Sequence, residues 1–305
     1  MQLTTVRTFL AVCRLGSLSS AAAELGYTQS AVSRQVAALE QYVGVPLLER
    51  RSRGVVPTAA GDAFRHHARA IAAEADRAVR AARDARTTTA PIALGATPSA
   101  AAGVVPSALR TVRDEHPAVR WTLVTGLTRE LTEAVAAGTL DVAVVTDAPP
   151  GLPDDDRVER NPLGTDAMCV IVPEQHPARA ARGPLSLADF ADATWVEDNE
   201  GSEILLRTAA ARAGFDPRID VTAADLTGKA AMVAAGHAVA LVPGLLGRAL
   251  RRDVVAVAIE DAPTRGVYAV TPRGPAPAGT LVRAMIDALR IAVSDADPMV
   301  GKAAG

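Results

Sequence analysis

The chain has 305 residues, of which 49% are hydrophobic and 22% charged, so it is long enough for two domains with packed cores. Its net charge of -2 excludes no class of partner. The sequence has no apolar span of membrane-crossing length and begins without the basic and apolar regions of a secretory signal, which predicts a cytoplasmic protein without membrane contact.

Charge is divided unevenly along the chain. Residues 1–90 hold 12 arginines and 7 acidic residues, whereas residues 91–305 carry a net charge of -7. This division indicates a first segment that meets a polyanion, with chance fluctuation as the alternative. Cys13 and Cys169 lie far apart in apolar runs, which predicts buried thiols and no metal or redox pair.

The first 44 residues predict three short helices. Apolar residues recur at helical spacing between Leu3 and Cys13, and Gly16 ends this helix. Ser17 is a candidate N-cap for a helix over 19–25, and Thr28 is one for a helix from 29 to about 43.

A short hairpin and a long helix are predicted next. Residues 45–57 predict two strands around the basic turn Arg50 to Gly54, and residues 58–86 predict one helix. This helix has a narrow apolar seam, which favours pairing with a second copy of the chain; packing on its own domain is the alternative. The seam consists of Phe64, Ala68, Ile71, Ala75, Val79 and Ala82.

After the linker Thr87 to Pro91, strands and amphipathic helices alternate, which predicts an α/β domain with a mainly parallel sheet. The predicted strands are 92–96, 121–124, 142–146, 167–172, 194–197, 219–222, 238–242, 254–259 and 267–271. The predicted helices lie near 100–115, 128–138, 202–213, 226–235 and 279–293.

The third predicted helix exposes side chains suited to DNA. Gln29 and Arg34 have the donors and acceptors for bidentate contacts to base edges in the major groove, and serine hydroxyls suit phosphates. A three-helix bundle with a polar surface is the alternative. The basic turn at Arg50, Arg51 and Arg53 favours DNA, because such a turn reaches phosphates or the minor groove like a wing.

The run from Gly16 to Glu40, GSLSSAAAELGYTQSAVSRQVAALE, resembles the winged helix-turn-helix of LysR-type transcriptional regulators. So do the runs 44–50, 57–61 and 236–243. Two departures are Ser30, where the family often has Pro, and Leu48, where it has Phe.

The resemblance implies a sequence-specific DNA-binding transcription regulator of the α/β class. Its expected parts are a winged helix-turn-helix (1–58), a linker helix (58–89) and an effector-binding domain (90–305) similar to periplasmic binding proteins. That domain divides into subdomain one (91–162 and 268–297) and subdomain two (163–267). The expected partners are double-stranded promoter or operator DNA, a small-molecule effector, RNA polymerase and further copies of the chain. The copies would form a homodimer through the 58–86 helix and a homotetramer.

Two sets of site residues are predicted. The DNA-binding set is Ser17, Thr28, Gln29, Ser30, Ser33, Arg34, Arg50, Arg51 and Arg53. The effector set, taken from strand ends and helix starts, is Thr97, Ser99, Thr125, Thr128 and Ser202, each of which could equally be only an N-cap. Acidic residues at Asp198, Glu200 and Glu203 disfavour an anion near Ser202.

No catalytic or metal constellation emerges, so the chain is not expected to be an enzyme or to need a cofactor. His66 and His67 are adjacent on a helix and do not share a face, and the run Asp154 to Asp156 reads as a solvated loop. The alternative function is a small-molecule-binding or small-molecule-processing α/β protein whose N-terminal helices only mediate oligomerisation.

Overall fold

The computed structural model describes residues 1–51, 54–84, 91–273 and 279–296, and the chain divides into an N-terminal and a C-terminal unit. The helices are α1 (Leu3–Leu15), α2 (Leu18–Leu25), α3 (Gln29–Val43), α4 (Ala59–Asp84), α5 (Pro98–Gly103), α6 (Val105–Glu115), α7 (Thr128–Ala136), α8 (Glu200–Arg212), α9 (Leu226–Ala234) and α10 (Thr280–Ser294). The strands are β1 (Leu48–Arg51), β2 (Gly54–Pro57), β3 (Ile92–Ala96), β4 (Trp121–Thr125), β5 (Val142–Thr146), β6 (Val158–Pro173), β7 (Thr194–Glu197), β8 (Arg218–Thr222), β9 (Ala240–Pro243), β10 (Val254–Ala258) and β11 (Thr264–Pro272). Within these residues, no helix combines the length and apolar character needed to cross a membrane.

In the N-terminal unit, α1, α2 and α3 pack around a small core, and each ends at a glycine as predicted. Small residues allow the close crossing: Ala21 is fully buried on α2, and Val32 is fully buried on α3. Both predicted N-caps are confirmed. The Ser17 hydroxyl accepts a hydrogen bond from the Ser20 N–H, and the Thr28 hydroxyl accepts one from Ala31 N–H.

The predicted hairpin is present as the antiparallel pair of β1 and β2. Val55 N–H donates to the carbonyl of Gly16 at 2.9 Å, so the hairpin is fastened to the end of α1. Gly54 has φ +128°, and a Cβ at this position would overlap the Gly16 carbonyl oxygen. Glycine is therefore required here both by the backbone conformation and by the close approach.

The apolar seam of helix α4 is buried at its start and exposed further along. Phe64 meets the Phe9 ring edge-on at 5.5 Å, and Ala68 is fully buried in the core of the N-terminal unit. Further along, Ile71 is 37% exposed and Val79 47% exposed. The first three turns thus pack on their own domain, and the later turns present Ile71 and Val79 to solvent. Residues 85–90, which hold the predicted end of the helix and the linker, lie outside the described residues.

The C-terminal unit has a mixed sheet in the order β10-β6-β11-β5-β3-β4, with β9 also pairing with β6. Only the β3–β4 and β3–β5 pairs of this sheet are parallel, so the expectation of a mainly parallel sheet was wrong. The reason is that β6 and β11 run antiparallel to each other over nine residue pairs and so reverse the strand direction in the middle of the sheet.

Three clusters of apolar side chains pack on this sheet. The first core lies around β3, β5, α6 and α10. The other two clusters take alternate residues of the later half of β6, one with α8 and the other with α9, and together they are called the second core. Strand β6 contributes to both, with Leu163 in the first core and Met168 in the second. Leu245, from the 3₁₀ helix Gly244–Ala249, packs in the first core although the sequence predicted residues 163–267 as one subdomain.

A cluster of charges is buried beside the second core. Lys229 on α9 is 1% exposed, and its ammonium lies 2.6 Å from Glu197 and 3.4 Å from Asp198. Burial raises the pKa of the Glu197 carboxyl, against the lowering effect of Lys229. One Glu197 oxygen, Oε1, is buried without a hydrogen-bond donor among the described residues. A single lysine therefore faces two carboxylates in a dry environment.

We expect Lys229→Met to lower the free energy of unfolding by about 3–5 kcal/mol, because two buried carboxylates lose their cation. Urea denaturation of the full chain measures this loss. Adding Glu197→Gln to Lys229→Met should restore part of it, since one of the uncompensated charges is then removed. Arg207→Met is the matched control, because Arg207 makes only exposed ion pairs, and it should stay near wild type. Equal stability of the Lys229 and Arg207 variants would contradict this account.

Candidate functional site

The outer face of α3 carries the predicted base-reading side chains. Val32, Val36 and Leu39 are buried on the inner face, which leaves Gln29, Ser30 and Arg34 exposed on the other side. The Thr28 cap fixes where the helix begins, so these side chains project from its first turns. A helix with a buried apolar stripe and a polar face with donors and acceptors has the form of a recognition helix.

The cations on this surface are free to meet an external anion. No carboxylate among the described residues lies within ion-pair distance of Arg34 or Arg50. Arg51 is held only by a long contact of 3.5 Å to Glu49. Arg53 lies outside the described residues. Unneutralised arginines on one surface create a positive potential suited to a polyanion.

Predicted serine and threonine contacts on this surface are already used as acceptors. Ser17 and Thr28 each accept a backbone N–H, which leaves the Ser17 O–H proton for an external acceptor; Thr28 and Ser30 share one hydrogen bond and keep one O–H proton between them. The Thr28 and Ser30 hydroxyls lie 3.0 Å apart. Ser33 is half-buried, one turn further along α3.

Four of the five predicted effector residues meet at one edge of the sheet. Thr97, Thr125 and Thr128 follow or end the parallel strands β3 and β4, and Ala96 pairs with both Thr125 and Val144. Thr97 N–H donates to Val144 carbonyl at 3.0 Å. Parallel strands bring their carboxyl ends to the same edge, which is where α/β sheets bind ligands.

Thr97 and Ser99 are the buried members of this group, at 6% and 3% exposure. The Thr97 hydroxyl oxygen has no hydrogen-bond partner among the described residues. A buried hydroxyl without a partner costs free energy, so an occupant that hydrogen-bonds to it would bind with that cost removed. Thr125, by contrast, is exposed.

Thr128 has a structural partner. Its hydroxyl donates to the Thr146 carbonyl at 2.9 Å and accepts from Thr146 N–H at 3.3 Å. These bonds fasten the start of α7 to the end of β5. The alternative role that the sequence left open for Thr128 was an N-cap, whereas these bonds join it to a strand 18 residues further along the chain.

Arg265 is a member of this site that sequence reasoning missed. Its guanidinium donates to Ser99 Oγ at 2.7 Å and pairs with Asp166 at 2.8 Å, and both charged side chains are nearly buried. Asp166 also accepts the Leu245 N–H at 2.9 Å. Burial raises the pKa of Asp166, and Arg265 opposes this. Only strand pairing, which places Arg265 opposite Asp166, could have revealed the pair.

Ser202 sits on the second core and is engaged with acidic groups. Its hydroxyl contacts Glu197 and Asp198, and its N–H donates to Asn199 at 3.0 Å. The helix that carries it approaches the first core's strand ends, because a Cβ on Gly201 would overlap the Pro149 carbonyl after β5. Sequence reasoning also missed Lys229, the cation that pairs with Glu197 and Asp198 beside Ser202. Its rarity could have drawn attention to it, because the chain has two lysines and is rich in arginine.

Two family profiles match the chain. Residues 3–62 match the profile described as "Bacterial regulatory helix-turn-helix protein, lysR family", and residues 85–294 match "LysR substrate binding domain". The transcriptional regulator DgdR of Burkholderia cepacia is 31% identical over 79% of this chain and 77% of its own length. HcaR of Escherichia coli, named as the Hca operon transcriptional activator, is 30% identical over 81% of this chain and 83% of its own.

Solved structures show the same fold. Full-length OxyR from Pseudomonas aeruginosa is similar with a TM-score of 0.65 at 20% identity, covering 95% of both chains. CbnR, solved in complex with its target DNA, has a TM-score of 0.60 at 23% identity and covers 96% of this chain and 100% of its own. At sequence identities this low, the similarity to these two structures shows the fold alone.

The relatives are named as transcription regulators, and the two family profiles together cover nearly the whole chain in the predicted order. The chain therefore belongs to the LysR family of DNA-binding transcription regulators with an effector-binding domain, and it is not an enzyme.

Proposed function

We propose that α3 reads base edges in the major groove and that the wing of β1 and β2 contacts the flanking backbone. The observation that carries this proposal is that Arg34 is exposed on α3 with no carboxylate partner among the described residues. Gln29 and Arg34 are assigned to bases, and the hydroxyls and wing arginines to phosphates. The phosphate set is Ser17, Thr28, Ser30, Ser33, Arg50, Arg51 and Arg53. A protein with this role works in the cytoplasm, where bacterial DNA lies.

We further propose that the chain is a homodimer through α4 and associates further as a homotetramer. The exposed Ile71 and Val79 lie on the seam of α4 and favour burial against a second copy. In the C-terminal unit, β4 is an edge strand with Leu123 40% and Val124 52% exposed. An apolar edge of this kind favours contact with another copy, which would supply the tetramer's second interface.

The effector site is proposed between the two cores, at the strand ends around Thr97, Ser99, Thr125 and Thr128, and facing Ser202. We place the DNA-binding domain at 1–58, the linker helix at 58–89 and the effector domain at 90–305. Subdomain one is 91–162 with 268–297, and subdomain two is 163–267. The chain passes between the two subdomains twice. The packing of Leu163 and Val267 in the first core favours placing these two crossings at Asp166 and Arg265.

We expect Arg34→Ala to weaken binding to the DNA upstream of the chain's own reading frame by about 1–3 kcal/mol and to relax the preference at one or two base pairs. Arg50→Ala should instead weaken binding to every sequence alike and flatten its salt dependence. Fluorescence anisotropy over a salt series with the operator, its single-base variants and a random duplex separates these outcomes. Equal losses on all sequences for Arg34→Ala would show a phosphate contact. No preference of the wild type over random DNA would overturn the proposed function.

Ile71→Asp should shift the chain toward monomer in analytical ultracentrifugation, because a charge then replaces an apolar side chain at the proposed helix pair. Ala70→Asp is the matched control. Ala70 is exposed on the same helix but lies away from the seam, so this variant should sediment like wild type. An unchanged oligomer for Ile71→Asp would refute the seam.

Thr97→Val should leave the thermal midpoint of the ligand-free chain unchanged or higher, because it replaces an unpartnered buried hydroxyl with a methyl of similar shape. The same variant should lose the midpoint increase that an effector gives the wild type in a screen of metabolites. A ligand-free chain that is clearly less stable would show that the hydroxyl serves the fold. A full effector response in Thr97→Val would remove Thr97 from the site.

A further inference from the structure

Glu40 joins the recognition helix to the wing. It lies in the last turns of α3, and its Oε1 accepts the backbone N–H groups of Leu47 at 2.7 Å and Leu48 at 3.0 Å. Leu48 is the first residue of β1, and the wing arginines Arg50 and Arg51 follow on the same strand. One carboxylate oxygen on the helix thus holds the start of the strand that carries them.

Apolar packing and a surface pocket lie side by side at this junction. A cavity of about 150 Å³ lies between α3 and the wing, lined by residues that include Ser33, Ala37, Glu40 and Arg50. Strand β1 pairs only with β2, and a two-stranded hairpin is marginal without outside support. Leu47 is fully buried with Leu39 of α3, and the Glu40 bonds add the hydrogen-bonded link between α3 and the start of β1.

The other supports of the wing lead to different elements. Val55 on β2 is fastened to the end of α1, and the Leu47 carbonyl accepts Thr58 N–H at 3.0 Å before α4 begins. Neither bond joins β1 to α3. The side chain of Glu40 does, because the N–H groups of Leu47 and Leu48 converge on one of its oxygens.

We propose that Glu40 is the positioning residue of the wing, which fixes Arg50 and Arg51 at the distance from the recognition helix that lets both elements touch one stretch of DNA. This inference rests on the proposed DNA-binding role of the wing. Glu40 itself contacts no DNA; a carboxylate facing phosphates would be repelled, and its bonds to Leu47 and Leu48 hold it at the junction.

The test compares Glu40→Ala, Glu40→Gln and the control Glu24→Ala in the full chain. Glu24 is an exposed carboxylate of the same unit, paired with Arg14. Each protein is titrated with the upstream DNA and with an unrelated duplex of equal length across a salt series. Circular dichroism measures the folded fraction. A stoichiometric titration, with DNA held far above its Kd, measures the fraction of the protein that is competent to bind.

Glu40→Ala should weaken binding to both duplexes by roughly 10-fold and lower the slope of log K against log salt by about 2 per dimer, because wing phosphate contacts are lost. The preference among single-base operator variants should persist, since α3 is intact. Glu40→Gln should behave like wild type, because its amide oxygen accepts the same two N–H groups. Glu24→Ala should also match wild type.

A purely structural role gives a different result. Partial unfolding reduces the competent fraction but leaves the salt slope of the surviving protein unchanged, so a wild-type slope in Glu40→Ala overturns the inference. So does a Glu40→Gln variant as weak as Glu40→Ala. The unrelated duplex keeps this test separate from base reading, because wing contacts to phosphates act on any sequence even if the operator assignment fails.

A double-mutant cycle provides a second measurement that does not depend on the variant's stability. In a background with Arg50→Gln and Arg51→Gln, adding Glu40→Ala should change DNA affinity less than about 2-fold, because the contacts it positions are already absent. A further loss as large as that in the wild-type background would show that Glu40 acts by another route.

Discussion

The C-terminal unit depends on the antiparallel pairing of β6 and β11. Strand β6 contributes to both cores and β11 to the first, and the register of their ladder shifts between Val267 and Tyr268. The buried pair of Asp166 and Arg265 lies on these same strands, and it reaches Ser99 on one side and the Leu245 backbone on the other. Ser99, from the proposed effector site, is therefore linked by direct hydrogen bonds to the strands that join the two cores.

In the N-terminal unit, the corresponding constraint is close backbone contact. Gly54 lies against the Gly16 carbonyl, and Gly61 lies against the Leu47 carbonyl, where a Cβ would overlap an oxygen in both cases. Because these contacts leave little room for adjustment, the helices, the wing and the start of α4 are held in one arrangement. A DNA-reading head needs this rigidity, since base and phosphate contacts must be made in the same register.

Charge is arranged differently at the two sites. The proposed DNA-facing surface leaves Arg34 and Arg50 without carboxylate partners among the described residues, so their positive charge is available to a polyanion. Around the proposed effector site, the charged groups are paired internally: Arg265 with Asp166, and Lys229 with Glu197 and Asp198. In the proposed roles, DNA recognition is electrostatic, and the unpartnered hydroxyl of Thr97 is available to hydrogen-bond to an effector.

Local spacing and capping encode the helix-turn-helix, its caps at Ser17 and Thr28, and the hairpin, so these could be predicted from the amino-acid sequence. The later strands and helices follow in the predicted order, except that the helix expected near 100–115 is divided into α5 and α6. Folding of the whole chain sets the mixed sheet, the division of the α4 seam between its own core and solvent, and the partners of Arg265 and Lys229. These depend on strand pairing and on contacts between residues far apart in the chain. The sequence around Lys229 does not show that its ammonium will pair with Glu197, and the sequence around Gly54 does not show that it will lie against the Gly16 carbonyl. These partners are set only when the chain packs.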